Sequence, residues 1–66
     1  MKDVWVVTAW TAKDNTTEVL MAFDSYHDGF DYAESVAEGY SCKRVDGYRW
    51  DSPSKIIRMT NVERRR

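Results

Sequence analysis

The segment Val4-Trp5-Val6-Val7-Thr8-Ala9-Trp10 is apolar on both sides of any strand it forms. Strand side chains alternate between faces. Trp5, Val7 and Ala9 fall on one face, and Val4, Val6, Thr8 and Trp10 on the other. A sheet with one solvated face shows apolar-in, polar-out alternation, and this strand does not. Residues 17–23 repeat the pattern, with Val19, Met21 and Phe23 against Glu18, Leu20 and Ala22. The clear helical period comes later: Tyr26, Phe30, Ala33, Ala37 and Tyr40 fall four, three, four and three apart, flanked by Val36. A helix of about 15 residues is about 22 Å long. It covers one face of a small sheet and leaves the other for a second copy of the chain or a different partner.

The rest of the chain supplies strands and turns. Residues 3–11 read as the first strand, and residues 12–16 as a connection of hairpin length. Asp24 and Ser25 are helix-start residues, whose side-chain oxygens accept from early backbone amides. Asp28 suits the positive end of the helix dipole. Gly29 costs about 1 kcal/mol against alanine inside a helix and is expected where helix and sheet approach closely. Gly39 is the expected stop. Residues 41–45 read as a third strand, and Asp46-Gly47 as a two-residue hairpin turn of type I′, with positive φ at both positions. Residues 48–50 run back. Residues 55–62 read as a final strand, the alternative being a short helix capped by Ser52 with Pro53 at its first position. The expected fold class is α+β: a small antiparallel β-sheet of three to five strands with one amphipathic helix packed on one face, in the order β-β-α-β-β(-β). Residues 3–62 form the expected ordered core, and residues 63–66 a frayed tail.

Sixty-six residues make one domain near the lower limit for folding without a staple. Nine aromatic side chains, each able to bury on the order of 150–250 Å², make a compact core feasible. Cys42 is the single cysteine, so no intrachain disulfide forms and a reducing compartment is implied. No apolar run approaches the about 20 residues that span a bilayer, and the start lacks a signal-peptide pattern. The expectation is a cytoplasmic protein, in the host cytoplasm if phage-encoded, with no membrane partner. Charge is segregated: residues 1–42 carry two cations and eight carboxylates, residues 43–66 eight cations and three carboxylates. Such asymmetry suits a charge-steered interface, or the two halves neutralise one another in the fold.

Four carboxylates, Asp28, Asp31, Glu34 and Glu38, form a ridge on the helix away from its apolar side. No lysine or arginine occurs between Asp14 and Cys42, so the usual i+4 cation of a surface helix is missing. The ridge is a candidate for contacting a basic partner surface, against the plainer reading of a solvated face. The spare sheet face, with Val4, Val6, Trp10 and Leu20, is the candidate partner or dimer interface. Trp5 and Trp10 have opposite parity, so one enters the core and the other is a candidate anchor. Lys43, Arg44, Arg49 and Arg58, interleaved with Tyr48 and Trp50, are candidates for nucleic-acid contact. His27 and Cys42 each stand alone, which argues against a metal site or a catalytic pair. The expectation is no enzyme, no metal and no cofactor.

Ala22-Phe23-Asp24-Ser25, leading into Tyr32-Ala33-Glu34-Ser35-Val36-Ala37-Glu38 and then Lys43-Arg44-Val45, resembles small phage-encoded host-takeover inhibitors. The layout is similar to that of phage inhibitors of bacterial RNA polymerase, with added strands after Asp46. It is also similar to small anti-CRISPR proteins that pair a sheet with one helix. The resemblance spans residues 3–50. It implies a non-enzymatic inhibitor that binds a host protein or ribonucleoprotein complex and blocks its access to nucleic acid. The alternatives are a nucleic-acid-binding accessory protein using the basic strands, and a homodimeric interaction module.

Overall fold

The computed structural model describes residues 3–63. It contains β1 (Asp3–Thr11), β2 (Thr16–Phe23), α1 (Tyr26–Gly39), β3 (Lys43–Asp46), β4 (Arg49–Asp51) and β5 (Lys55–Glu63). The five strands form one antiparallel sheet in the spatial order β2-β1-β5-β4-β3. The α+β class with one helix on one face is therefore present, and residues 55–63 are strand rather than helix. Glu63 belongs to β5 and pairs with Asp3; the remainder of the expected tail, residues 64–66, lies outside the described residues. Because β2 and β3 are opposite edges, α1 must cross the whole sheet to connect them. Its 14 residues give about 21 Å, close to the width of five strands spaced about 4.8 Å apart.

Helix and sheet meet through small residues. Gly29, Ala33 and Ala37, four apart, are the buried positions of α1. A Cβ on Gly29 would sit 3.0 Å from Met59 Cε and 3.5 Å from Trp5 Cβ. Beneath them lie Val7, Ala9, Trp50, Ile57 and Met59, which with Ala33 and Ala37 form the buried core. The Trp50 indole Nε1–H is buried without a hydrogen-bond partner among the described residues, an arrangement that costs about 1–3 kcal/mol. The two ends of the expected helical stripe are not core: Tyr26 and Tyr40 are exposed. Tyr26 instead donates its hydroxyl to the Gly47 carbonyl at 2.8 Å and packs edge-on against Trp5 and Tyr48, tying the helix start to the β3–β4 hairpin.

Three local expectations change. The helix ends at Gly39, but the left-handed residue that terminates it is Ser41 (φ 60°). The Cys42 amide donates to the Ala37 carbonyl at 2.8 Å and the Ser41 amide to the Glu38 carbonyl at 3.1 Å, the double closure of a Schellman motif. The β3–β4 hairpin forms, yet neither Asp46 nor Gly47 has positive φ, so the turn is not type I′. Asp46 pairs with Arg49, and the Tyr48 amide donates to Asp46 Oδ1 at 2.8 Å. That side-chain bond stabilises a turn one residue further on. Finally, β2 carries an irregularity opposite Val7/Thr8: Met21 pairs with Val7 and Val19 with Thr8, leaving Leu20 as an extra residue. The bulge changes side-chain parity, so Leu20 packs against the core on the helix side. Leu20 is thus not part of the spare sheet face.

Candidate interaction surface

The registers place the second face of the sheet in rows. Thr17, Trp10, Ile56, Asp51 and Lys43 align across all five strands. Val19, Thr8, Arg58, Arg49 and Asp46 form the next row, then Ala22, Val6 and Thr60, then Val4 and Val62. Among the described residues no element lies over this face, since α1 occupies the other. Val4, Val6, Trp10 and Ile56 are half-buried by their neighbours alone, while Val19 and Val62 are 67% and 47% exposed. One end of the face is therefore apolar and the other charged.

At the junction lies a shallow depression of about 250 Å³ lined by Thr8, Trp10, Thr17, Arg49, Ile56 and Arg58. Trp10 reaches it because of its even parity on β1. Its indole Nε1 donates to Asn15 Oδ1 at 3.0 Å, and Asn15 holds the left-handed position of the β1–β2 turn (φ 53°), which asparagine tolerates well. Arg49 and Arg58 are direct cross-strand partners. Arg49 is bound through Nε to Asp51 Oδ1 at 2.7 Å. That hydrogen bond, then the charges of Asp51 and Asp46, raise its pKa above the ordinary arginine value. Arg58 has no ion pair among the described residues.

The candidate basic residues divide between the two faces. Lys43, Arg49 and Arg58 share the open face, while Arg44, paired with the buried Trp50, lies on the helix side at the β3 edge. On the open face the three cations stand among Asp46 and Asp51, so local charge is nearly balanced. The acidic candidates Asp28, Asp31, Glu34 and Glu38 are all exposed on α1, on the opposite side of the sheet. Asp31 approaches His27 Nε2 at 3.5 Å, with both side chains largely solvated. Cys42 is half-buried, and its Sγ donates weakly to the Lys55 carbonyl at 3.6 Å. Of the two tryptophans of β1, Trp5 stacks with Tyr48 beside the core and Trp10 faces the open side.

Among the described residues no group of three or more His, Cys, Asp or Glu side chains is placed to hold a metal. No helix is long and apolar enough to cross a membrane. No family model, curated protein or solved structure matches the chain. The spare face with Val4, Val6 and Trp10 is expected from the sequence, but its depression is not, because Thr8, Trp10, Arg49, Ile56 and Arg58 come together only through the β1–β5–β4 order.

Proposed function

We propose that this chain is a non-enzymatic binding module, an inhibitor or adaptor that works by docking its open sheet face onto another protein. The observation that carries this reading is the uncovered face itself. Val4, Val6, Val19, Val62, Trp10 and Ile56 share one side of the sheet with no described element over them. Contiguous apolar surface rimmed by polar groups is characteristic of protein interfaces. The exposed carboxylates of α1 add a second surface, suited to a partner that carries lysines or arginines for handling nucleic acid. Such complementarity acts mainly on association rate and specificity. Occupying that partner would deny it nucleic acid, in line with the host-takeover resemblance.

Two features favour a different protein over a second copy or a nucleic acid. Arg58 lies mid-way along β5, the central strand. A two-fold axis through the middle of the face would bring Arg58 against its own copy. A polyanion, in turn, would meet Asp46 and Asp51 among the cations. The test compares affinity capture from bacterial lysate by the wild-type chain, by the Val19→Lys/Val62→Lys variant and by the Asp31→Lys/Glu34→Lys variant. The expected result is one nucleic-acid-handling complex retained by the wild type and lost from both variants. Capture that is the same for wild type and the valine variant overturns docking through the sheet face. A stable dimer of the isolated chain at micromolar concentration in sedimentation equilibrium assigns the face to self-association instead.

A further inference from the structure

We infer that the depression between Trp10 and Arg58 receives a carboxylate side chain of the partner protein, seated beside an apolar residue. The inference rests on the docking reading above and names what the partner must present. Its first support is an electrostatic imbalance within the sheet. Arg49 and Arg58 face one another across β4 and β5, and like charges directly opposite one another destabilise a strand pair. Arg49 is compensated by Asp51 at 2.7 Å and by nearby Asp46. Arg58 has no such compensation among the described residues. Within the depression, then, Arg49 has its carboxylate and Arg58 has none among the described residues, and a guanidinium takes a carboxylate through two parallel hydrogen bonds.

The second support is the shape and lining of the site. Its volume of about 250 Å³ falls below the range of about 300–1,000 Å³ typical of small-molecule and cofactor pockets, so it suits a side chain. Trp10 and Ile56 supply apolar contact, and Thr8 and Thr17 supply hydroxyls. The polar edge of Trp10 is already satisfied by Asn15, which leaves its ring for packing. Beyond the depression the surface continues into Thr60, Val6 and Ala22 and then Val4 and Val62. A partner that fits both parts carries one acidic residue next to aliphatic ones.

The test uses the full chain, labelled with nitrogen-15, and two capped tripeptides: acetyl-Leu-Glu-Leu-amide and acetyl-Leu-Gln-Leu-amide. The Glu peptide is expected to shift the Trp10 Nε1–H and Arg58 Nε–H resonances along a saturating curve. The Gln peptide is expected to bind at least about tenfold more weakly, the lower end of what a single charge-assisted hydrogen bond contributes. Arg58→Met should abolish the difference between the peptides while keeping a folded spectrum. Arg58→Lys should restore part of it. Equal shifts with both peptides, or none with either, overturn the carboxylate site. So does tighter, steeply salt-dependent binding of a twelve-residue oligothymidylate, which would assign the site to nucleic acid. The readout is on the isolated chain, so it fails independently of the capture experiment, which reads Val19 and Val62.

Discussion

The two faces of this sheet are made by the same strands and differ in what covers them. On the helix side Val7, Ala9, Trp50, Ile57 and Met59 are buried under Gly29, Ala33 and Ala37. On the other side Val4, Val6, Trp10 and Ile56 stay half-exposed and Val19 and Val62 more so. β1 is apolar on both faces and does not choose between them. The choice is made by β4 and β5, where Trp50, Ile57 and Met59 alternate with Arg49, Asp51, Arg58 and Thr60. Burying the second set under the helix would desolvate three charged groups, which is far more costly than exposing a few valines. Strand register is strongly specified wherever one face is buried, and here the charged strands of the pair do the specifying. The apolar surplus of β1 is thus free for another use.

The largest test of that comparison sets one tryptophan from each face against the other. Trp50→Ala should cost about 3–5 kcal/mol, which is near the whole stability of so small a domain, and should leave the chain unfolded by circular dichroism at 25 °C. Trp10→Ala should leave it folded, with a loss of about 1–2 kcal/mol in urea denaturation for partial burial and one hydrogen bond. Trp50→Phe should cost less than Trp50→Ala by more than size alone suggests, because the deleted Nε1–H was unpaired. Similar losses from Trp10→Ala and Trp50→Ala would mean that both faces are core.

The next effect is at the helix–sheet contact. Gly29→Leu should lose about 1–3 kcal/mol by overpacking against Met59, Trp5 and Phe23. Gly29→Ala should be nearly neutral. The gain in helix propensity of about 1 kcal/mol is offset by a 3.0 Å approach to the Met59 methyl, the mobile end of a flexible side chain. Equal tolerance of both substitutions in urea denaturation would show that the helix does not lie as close to β5 as the geometry has it.

Much of the covered face was legible in the sequence. The period of Tyr26 to Tyr40, the cap at Ser25, the helix stop at Gly39, and the strand at residues 55–62 follow from local chemistry. The open face was legible only as a surplus. Leu20 was misplaced because a bulge shifts parity, and nothing in Glu18-Val19-Leu20-Met21 marks where an extra residue enters. Arg44 and Arg49 look equivalent in sequence, yet their parities send them to opposite faces. The grouping of Trp10 with Arg58 depends on β1 pairing with β5, a contact between distant parts of the chain. The two turn misreadings share one cause. Both expectations rest on a glycine as the turn-former, whereas the helix closes through Ser41 at positive φ and the β3–β4 turn uses no positive φ at Asp46 or Gly47.

Ser41 yields a smaller prediction. A non-glycine residue in the left-handed region is strained by about 1–2 kcal/mol, and glycine relieves this at some entropic loss in the unfolded chain. Ser41→Gly should therefore stabilise the domain by about 0.5–1 kcal/mol in urea denaturation. No stabilisation would mean that the Ser41 side chain makes up the difference.

The smallest effect separates the acidic ridge from the fold. Asp28, Asp31, Glu34 and Glu38 contain three like-charge neighbours at i+3 or i+4, each unfavourable by a few tenths of a kcal/mol. In Asp31→Lys/Glu34→Lys two of these become attractive and one remains repulsive, while Asp28 in the first turn is untouched. Asp31 stands beyond the turn where the helix dipole acts, and its contact with His27 is solvated. The double variant should thus be slightly more stable than the wild type, by about 0.5 kcal/mol at low salt, with the difference vanishing near 1 M salt, where screening acts within about 3 Å. If the variant is more stable and yet loses capture, the ridge acts in binding rather than in holding the helix. Loss of more than about 0.5 kcal/mol in the variant would instead make the ridge part of what holds the fold, and any lost binding would then follow from unfolding.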